Sequence, residues 1–447
     1  MSTSPFESAI FSELFRDAEV GKLFTDSAEI RAMLLVEGAL AKAQGALGVI
    51  PETAAAAING AAMEVIINPA GLAAQTGRSA VPVPALVAAF REAMQAPDHA
   101  KFIHFGATSQ DIMETGQNLR LRQVINIFSQ RLNTLVQSLG NLAKAHAETP
   151  IAARTYSQIA TPTSFGAIVA SWGNPHLRHI ERLVLVKENL LQVSLSGAAG
   201  TLSAMGPKGP EVRAELAAGL GLADPCGSWH SQRDSVAAFA AWMTLVAGSL
   251  GKMGEDLILL TQSGVNEVDL GIGGGSSTMP QKNNPVEPSV LVALANFVMA
   301  QNSAMQSATL HRQQRDGAAW MLEWMVLPQM CMALARMINV ATNLAKTVSP
   351  NAHNMSVGID DGLGLIFAES LSFCLAETMP RPDAQNEVKA LCILAKQTQT
   401  SLQKLAAEKW PALNLESAFD LQRQMGTAPS EALVFAQATR QTSQKNT

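Results

Sequence analysis

Residues 121–142 read Leu121-Arg-Gln-Val124-Ile-Asn-Ile-Phe128-Ser-Gln-Arg-Leu132-Asn-Thr-Leu135-Val-Gln-Ser-Leu139-Gly-Asn-Leu142. Leu121, Val124, Phe128, Leu132, Leu135, Leu139 and Leu142 step by 3, 4, 4, 3, 4 and 3 residues. Such steps keep side chains on one face of an α-helix, so the stretch is an apolar stripe on a helix of about 30 residues, roughly 45 Å long. Proline is absent between Pro97 and Pro150, and again from 181 to 204, 226 to 279 and 289 to 327. Long proline-free runs suit long helices. Alanine, leucine and methionine, all good helix formers, abound near 163–195, 232–264, 287–311 and 317–347. Alternating β patterns are few, and only short stretches could pair as hairpins. The expectation is an all-α chain in three parts: an N-terminal helical domain over 1–111, a central bundle of about five long helices over 112–350, and a C-terminal helical domain over 351–447.

The 447 residues suffice for two or three domains with a large buried core. The chain is 47% hydrophobic and only 15% charged, which suggests surface hidden in an oligomer. Net charge is −5 and no long basic run occurs, so nucleic-acid or membrane-surface binding has little support. The N-terminus lacks a basic stretch followed by an apolar one, and no 18 uninterrupted apolar residues occur. Cys226, Cys331, Cys374 and Cys392 are far apart, which argues against a disulfide framework or a zinc site and for a reducing cytoplasmic location.

Chemistry concentrates in a few segments. Residues 273–285 read Gly-Gly-Gly-Ser-Ser-Thr-Met-Pro-Gln-Lys-Asn-Asn-Pro. Three glycines give a mobile backbone, hydroxyls follow, and Pro285 stands where a helix can start. A phosphate loop needs Gly before the lysine and Ser or Thr after it; Gln281 and Asn283 stand there instead. The stretch reads as a flexible loop carrying a nucleophile or base, Ser276, toward a cation, Lys282, with the Asn284 amide beside a helix N-terminus. His104-Phe-Gly-Ala-Thr-Ser-Gln-Asp111 precedes the first long helix. Thr108 and Ser109 there could cap the helix or bind a carboxylate, with Asp111 the cap residue.

The loop from Gly275 to Pro285 resembles the signature of the fumarase/aspartase superfamily, with every fixed position present. His104–Asp111 is similar to that superfamily's His-x-Gly-x-Thr-Ser-x-Asp motif, which makes His104 a substrate-contacting and candidate catalytic histidine. Arg154-Thr-Tyr-Ser-Gln-Ile-Ala-Thr-Pro162 resembles its Arg-Thr-His turn before the second long helix, with Arg154, Thr155, Tyr156 and Gln158 as candidate substrate contacts. Trp229-His-Ser-Gln-Arg-Asp234 adds His230 and Gln232, with Arg233 a further candidate substrate or loop contact. Gly197-Ala-Ala-Gly-Thr201 and the Arg315-Asp-Gly stretch add a backbone turn and Arg315. Weaker likeness continues through Leu35-Val-Glu37-Gly-Ala-Leu-Ala. Glu267 matches a family glutamate whose usual histidine partner is missing here.

That departure decides the expected chemistry. Relatives that expel an amine carry histidine at the place of Tyr156, because an amine must be protonated as its bond breaks. A carboxylate leaves or attacks at a pKa of about 4 and needs no such acid. The resemblance therefore points to the 3-carboxy-cis,cis-muconate cycloisomerase branch, which closes a lactone in protocatechuate catabolism, with adenylosuccinate lyase-type release of fumarate as the alternative. It implies Ser276, Lys282, Asn284 and His104 as catalytic residues, a tricarboxylate substrate, no cofactor or metal, and no nucleic-acid or membrane partner. It also implies a homotetramer with a twenty-helix core, whose active sites are shared between subunits.

Overall fold

The computed structural model describes residues 4–271, 274, 275, 278–360 and 362–445. Ser276 lies outside the described residues. Helix α1 spans Asp26–Ala46. Five long helices follow: α2 (Ser109–Ala145, 37 residues), α3 (Phe165–Leu190, 26), α4 (Asp234–Leu260, 27), α5 (Val286–Ser307, 22) and α6 (Gly317–Thr347, 31). The apolar stripe lies on α2, and Leu121, Val124, Phe128, Leu132, Leu135 and Leu139 are all fully buried. The helix begins twelve residues before the stripe, because residues 109–120 carry polar groups that serve the site rather than the core.

The segment Arg154–Pro162, expected as a turn, is part of an antiparallel hairpin instead. Strands β1 (Pro150–Thr155) and β2 (Gln158–Ser164) pair with Thr155 opposite Gln158. Prolines also sit inside long helices, Pro175 in α3 and Pro328 in α6. Burial along such helices outweighs the roughly 3 kcal/mol that an interior proline costs.

The chain forms two compact units: residues 1–130, 179–248 and 294–337 make the first, and 131–178, 249–293 and 338–447 the second. The unit boundary falls within each of the five long helices. In the first unit Phe239 stacks on Trp242 at 5.9 Å between centroids, and the Trp242 indole N–H donates to the His179 carbonyl at 2.9 Å. Helix α1 approaches the helix Glu52–Glu64 closely: a methyl group at Gly45 would lie 2.3 Å from the Ala55 Cβ. In the second unit Trp172 is buried and donates to Asp256 Oδ2 at 2.7 Å. Leu371, Leu375, Val388, Leu391 and Leu402 form a further core there. Helices α4 and α6 are long and apolar enough, by length and composition, to cross a membrane. Half or more of their apolar windows is buried within the protein (61% and 50%), as in a helical core.

Gly173 of α3 meets the Phe435 ring, and a Cβ at that position would lie 2.0 Å from it. We expect Gly173→Ala to destabilise the protein by about 1–3 kcal/mol through overpacking, despite the ~1 kcal/mol gained in helix propensity. Thermal unfolding checks this; an unchanged or raised Tm contradicts the packing described.

Candidate functional site

In the first unit the candidate residues gather around the first turns of α2. Asp111 is fully buried and accepts backbone N–H bonds from Thr108 (3.0 Å), Ser196 (2.9 Å) and Gly197 (3.0 Å). The Ser194 hydroxyl adds a bond at 3.3 Å, and His230 Nε2 lies 2.8 Å from the same carboxylate. A buried carboxylate is tolerable only with this density of donors. The bond to Thr108 is the helix-capping half of the expected motif; the rest ties α2 to a distant turn.

That turn is Gly197–Thr201. Gly197 and Gly200 have φ of +72° and +86°, a left-handed conformation that suits glycine. Further along the same face of α2, the Thr115 hydroxyl donates to the Ser194 carbonyl (3.0 Å) and accepts from its N–H (2.8 Å). Asn118 donates to the Leu190 and Gln192 carbonyls at 2.9 and 2.8 Å. Asp111, Thr115 and Asn118, spaced i, i+4, i+7, clamp residues 190–197 in place. Sequence reading took no account of Thr115 and Asn118, although a polar stripe at helical spacing was there to be found.

Arg315 stands against the glycine turn, donating to the Ala198 carbonyl at 3.2 Å and to Gln110 Oε1 at 2.7 Å. Gln110 in turn donates to Glu114 at 2.8 Å and to the His230 carbonyl at 3.0 Å. Behind it Arg233, only 2% exposed, sits between Glu323 (2.8 and 2.5 Å) and Glu114 (2.6 Å). This places Arg233 in a buried ion cluster and not on a substrate-facing surface. Burial pushes the Glu114 carboxyl up to about 7, against the opposing charge of Arg233 and the Gln110 bond. Gln232 is exposed and donates to the Ser228 carbonyl at 3.0 Å. Ser109 and Thr108 are half-buried at the helix start. His104, with φ of +66°, holds Glu37 Oε1 at 2.7 Å through Nδ1.

The second unit carries the other candidates. Tyr156 and Ser157 form a two-residue hairpin tip with φ of +50° and +61°. Two positive φ values make this a type I′ turn, whose favoured residues are Asn-Gly; here neither residue is glycine. Tyr156 is fully exposed at the tip. Thr155 and Gln158 flank it and are exposed as well. Arg154 is gripped by Glu267 in a two-pronged pair, Nη1 to Oε2 at 2.7 Å and Nη2 to Oε1 at 2.9 Å. Glu267 is 1% exposed, so the glutamate without a histidine has an arginine instead. Gly358 backs this pair: a Cβ there would lie 2.5 Å from Glu267 Oε1.

The loop before α5 is itself a small ladder, Gly274 opposite Asn284 and Gly275 opposite Asn283. Gly274 is required by crowding, since a Cβ would meet Val286 at 2.4 Å. Lys282 is exposed, Asn284 half-buried, and α5 starts immediately after Pro285. Together these supply an ammonium, an amide and a helix N-terminus, all suited to a carboxylate gaining charge. Among the candidates, His104, Thr108, Ser109, His230, Gln232 and Arg315 belong to the first unit; Arg154, Thr155, Tyr156, Gln158, Lys282 and Asn284 belong to the second.

Residues 16–300 match the lyase family. The chain is 37% identical over 408 residues to a 3-carboxy-cis,cis-muconate cycloisomerase of Pseudomonas aeruginosa, covering 90% of this chain and 88% of that protein. It is 32% identical to an N-acetyl-S-(2-succino)cysteine lyase of Enterococcus italicus, over 84% of this chain and 82% of that protein. The crystal structure of the 3-carboxy-cis,cis-muconate lactonizing enzyme from Pseudomonas putida superposes with a TM-score of 0.91 at 31% identity, covering 98% of this chain and 100% of that one.

Two predictions come from this geometry. The folded state binds the Glu114 proton more tightly than the unfolded chain does, so this group costs stability as pH rises from about 4.5 to about 7. Glu114→Gln should flatten that dependence, read as denaturant midpoints on either side of the window; an unaltered slope contradicts it. At the hairpin tip, replacing Tyr156 by Asn together with Ser157 by Gly should raise unfolding free energy by about 1–2 kcal/mol by relieving left-handed strain. Equilibrium unfolding yielding no gain would show that the tip is not strained.

Proposed function

We propose a reaction from the premise that this chain belongs to the lyase family, within the fumarase/aspartase superfamily: it is a 3-carboxy-cis,cis-muconate cycloisomerase. The observation that carries this reading is the hairpin tip. It presents a strained, fully exposed tyrosine where an amine-expelling enzyme needs an acid, next to an arginine held by a buried glutamate. Ile159 stands three residues on, so adenylosuccinate lyase-type cleavage finds no imidazole at either place.

In the proposed reaction one substrate carboxylate oxygen bonds to the distal alkene carbon. The electron pair of that alkene moves onto another carboxylate as an enediolate, and the adjacent carbon then takes one proton. The product is 4-carboxymuconolactone, with one negative charge fewer than the trianionic substrate. No electrons are gained or lost, so the step calls for no redox cofactor. Enediolates are costly in water, so the rate depends on donors arranged in advance. Lys282, Asn284 and the N-terminus of α5 fit that role. Ser276 is the proposed proton donor to carbon, its hydroxyl tuned by the positive charge of Lys282. Thr108, Ser109, Arg154, Thr155, Gln158, Gln232 and Arg315 are proposed to hold the three carboxylates, whereas His230, 2% exposed with Nε2 on Asp111, supports the site from behind.

The segments holding residues 104–111, 154–162 and 273–285 are proposed to come from three different subunits of a homotetramer with a twenty-helix core, whose active sites are shared between subunits. Exposed apolar residues on the long helices, among them Val184 and Leu185 on α3, Leu245 and Leu259 on α4 and Met299 on α5, support such an assembly. A three-domain division near residues 111 and 350 and a cytoplasmic location go with this reading; the four cysteines are free thiols.

A second reading has its own support in the similarity to an N-acetyl-S-(2-succino)cysteine lyase. A thiolate, with a pKa of about 8.5, also leaves with little help from an acid. The test is ultraviolet absorbance of 3-carboxy-cis,cis-muconate with the purified protein, beside a cuvette of the succinylated thiol. Loss of the conjugated-diene band, abolished by Ser276→Ala in a folded variant, is the expected result. An unchanged diene band together with release of fumarate from the thioether would overturn the cycloisomerase reading.

A further inference from the structure

Glu37 has no part in the reaction just described, yet it is 2% exposed in the middle of α1, where an uncompensated carboxylate is expensive. One oxygen meets His104 Nδ1 at 2.7 Å; the other, Oε2, is buried with no hydrogen-bond partner among the described residues. His104 lies in a left-handed conformation at φ +66°, two residues before Gly106 at φ +70°. A non-glycine residue held in that strained conformation is a functional pointer. The His104 side chain remains 20% exposed, while that of Glu37 is 1% exposed. With Nδ1 turned inward to the carboxylate, Nε2 faces outward and is left for a ligand.

We propose that Glu37 is a positioning residue: its carboxylate holds the His104 ring by Nδ1 and, as the negative charge beside it, favours the protonated ring, which presents Nε2–H to a carboxylate of the substrate. The inference rests on the carboxylate-rich substrate proposed above and gives His104 the work of binding rather than of proton transfer to carbon. Three charged groups face this imidazole: Glu37 from α1, Asp111 from α2, and Arg91 from the helix Val83–Met94, whose guanidinium donates to the Ile103 carbonyl at 2.9 Å. Burial alone lowers the His104 pKa. The Glu37 hydrogen bond and charge, with the charge of Asp111, outweigh both that burial and the opposing Arg91, so the net direction is upward. A histidine raised in this way is charged below its pKa and loses its charge as pH rises, so binding of an anion weakens on the alkaline side.

The test pairs a titration with kinetics. The eight histidines are labelled at Cε1, and the His104 signal is identified by its loss in His104→Asn. The signal is then followed against pH in the wild type, in Glu37→Gln and in Glu37→Asp. Glu37→Gln keeps an acceptor for Nδ1–H but removes the charge, so His104 should titrate at lower pH. The alkaline fall of kcat/KM for 3-carboxy-cis,cis-muconate should move with it, by about tenfold in rate for a charge partner worth one pKa unit. KM should carry the change and kcat much less. Glu37→Asp should fall between the two and serves if the glutamine variant does not fold. An unmoved His104 titration overturns the proposal, as does a titration that moves while the kinetic limb stays. A wild type inert on the muconate would sink the reaction proposed above, while the titration would still decide whether Glu37 holds the charge on His104.

Discussion

Asp111 is a carboxylate shut away from solvent, and the donors that satisfy it set the geometry of everything near it. Backbone N–H groups of Thr108, Ser196 and Gly197, the Ser194 hydroxyl and His230 converge on its two oxygens. Removing any one donor from such a site leaves a poorly compensated buried charge. The chain after α3 therefore has to run close to the start of α2, and the turn at Gly197 has to be left-handed to bring two successive N–H groups to bear. Arg315 takes its place in consequence, since its partners are Ala198 of that turn and Gln110 beside Asp111. The Arg233 cluster behind Gln110 then fixes the second layer.

The second unit solves a similar problem with a different pair. Glu267 commits its carboxylate to the guanidinium of Arg154, and Gly358 leaves no room for the pair to shift. A guanidinium offers five N–H donors, so a two-pronged partner orients it without using it up. In the first unit the His104 imidazole is likewise bound to a buried glutamate, Glu37. In each pair a buried carboxylate sets the orientation of its partner.

The helices were legible because their signal is local. The stripe from Leu121 to Leu142 repeats every three or four residues, and no remote partner is needed to read it. The motif at 275–285 was legible because its residue types are unusual in combination. The partnerships were not: 113 residues separate Arg154 from Glu267 and 67 separate His104 from Glu37. No periodicity encodes either distance; only the fold brings the residues together. The hairpin at 150–164 was hidden for another reason, since its tip lacks the Asn-Gly that announces a type I′ turn. Tyr156 breaks that local rule, and breaks of this kind mark residues retained for something other than folding.

The proposed site closes a ring by adding a carboxylate and then delivers a proton to carbon. Proton and carbon NMR of the product formed in deuterium oxide tests this most directly. A single lactone is expected, with one deuteron on the carbon beside the carboxylate that carried the enediolate. A product spectrum without a lactone, or a lactone carrying no deuterium at carbon, would contradict the proposed chemistry.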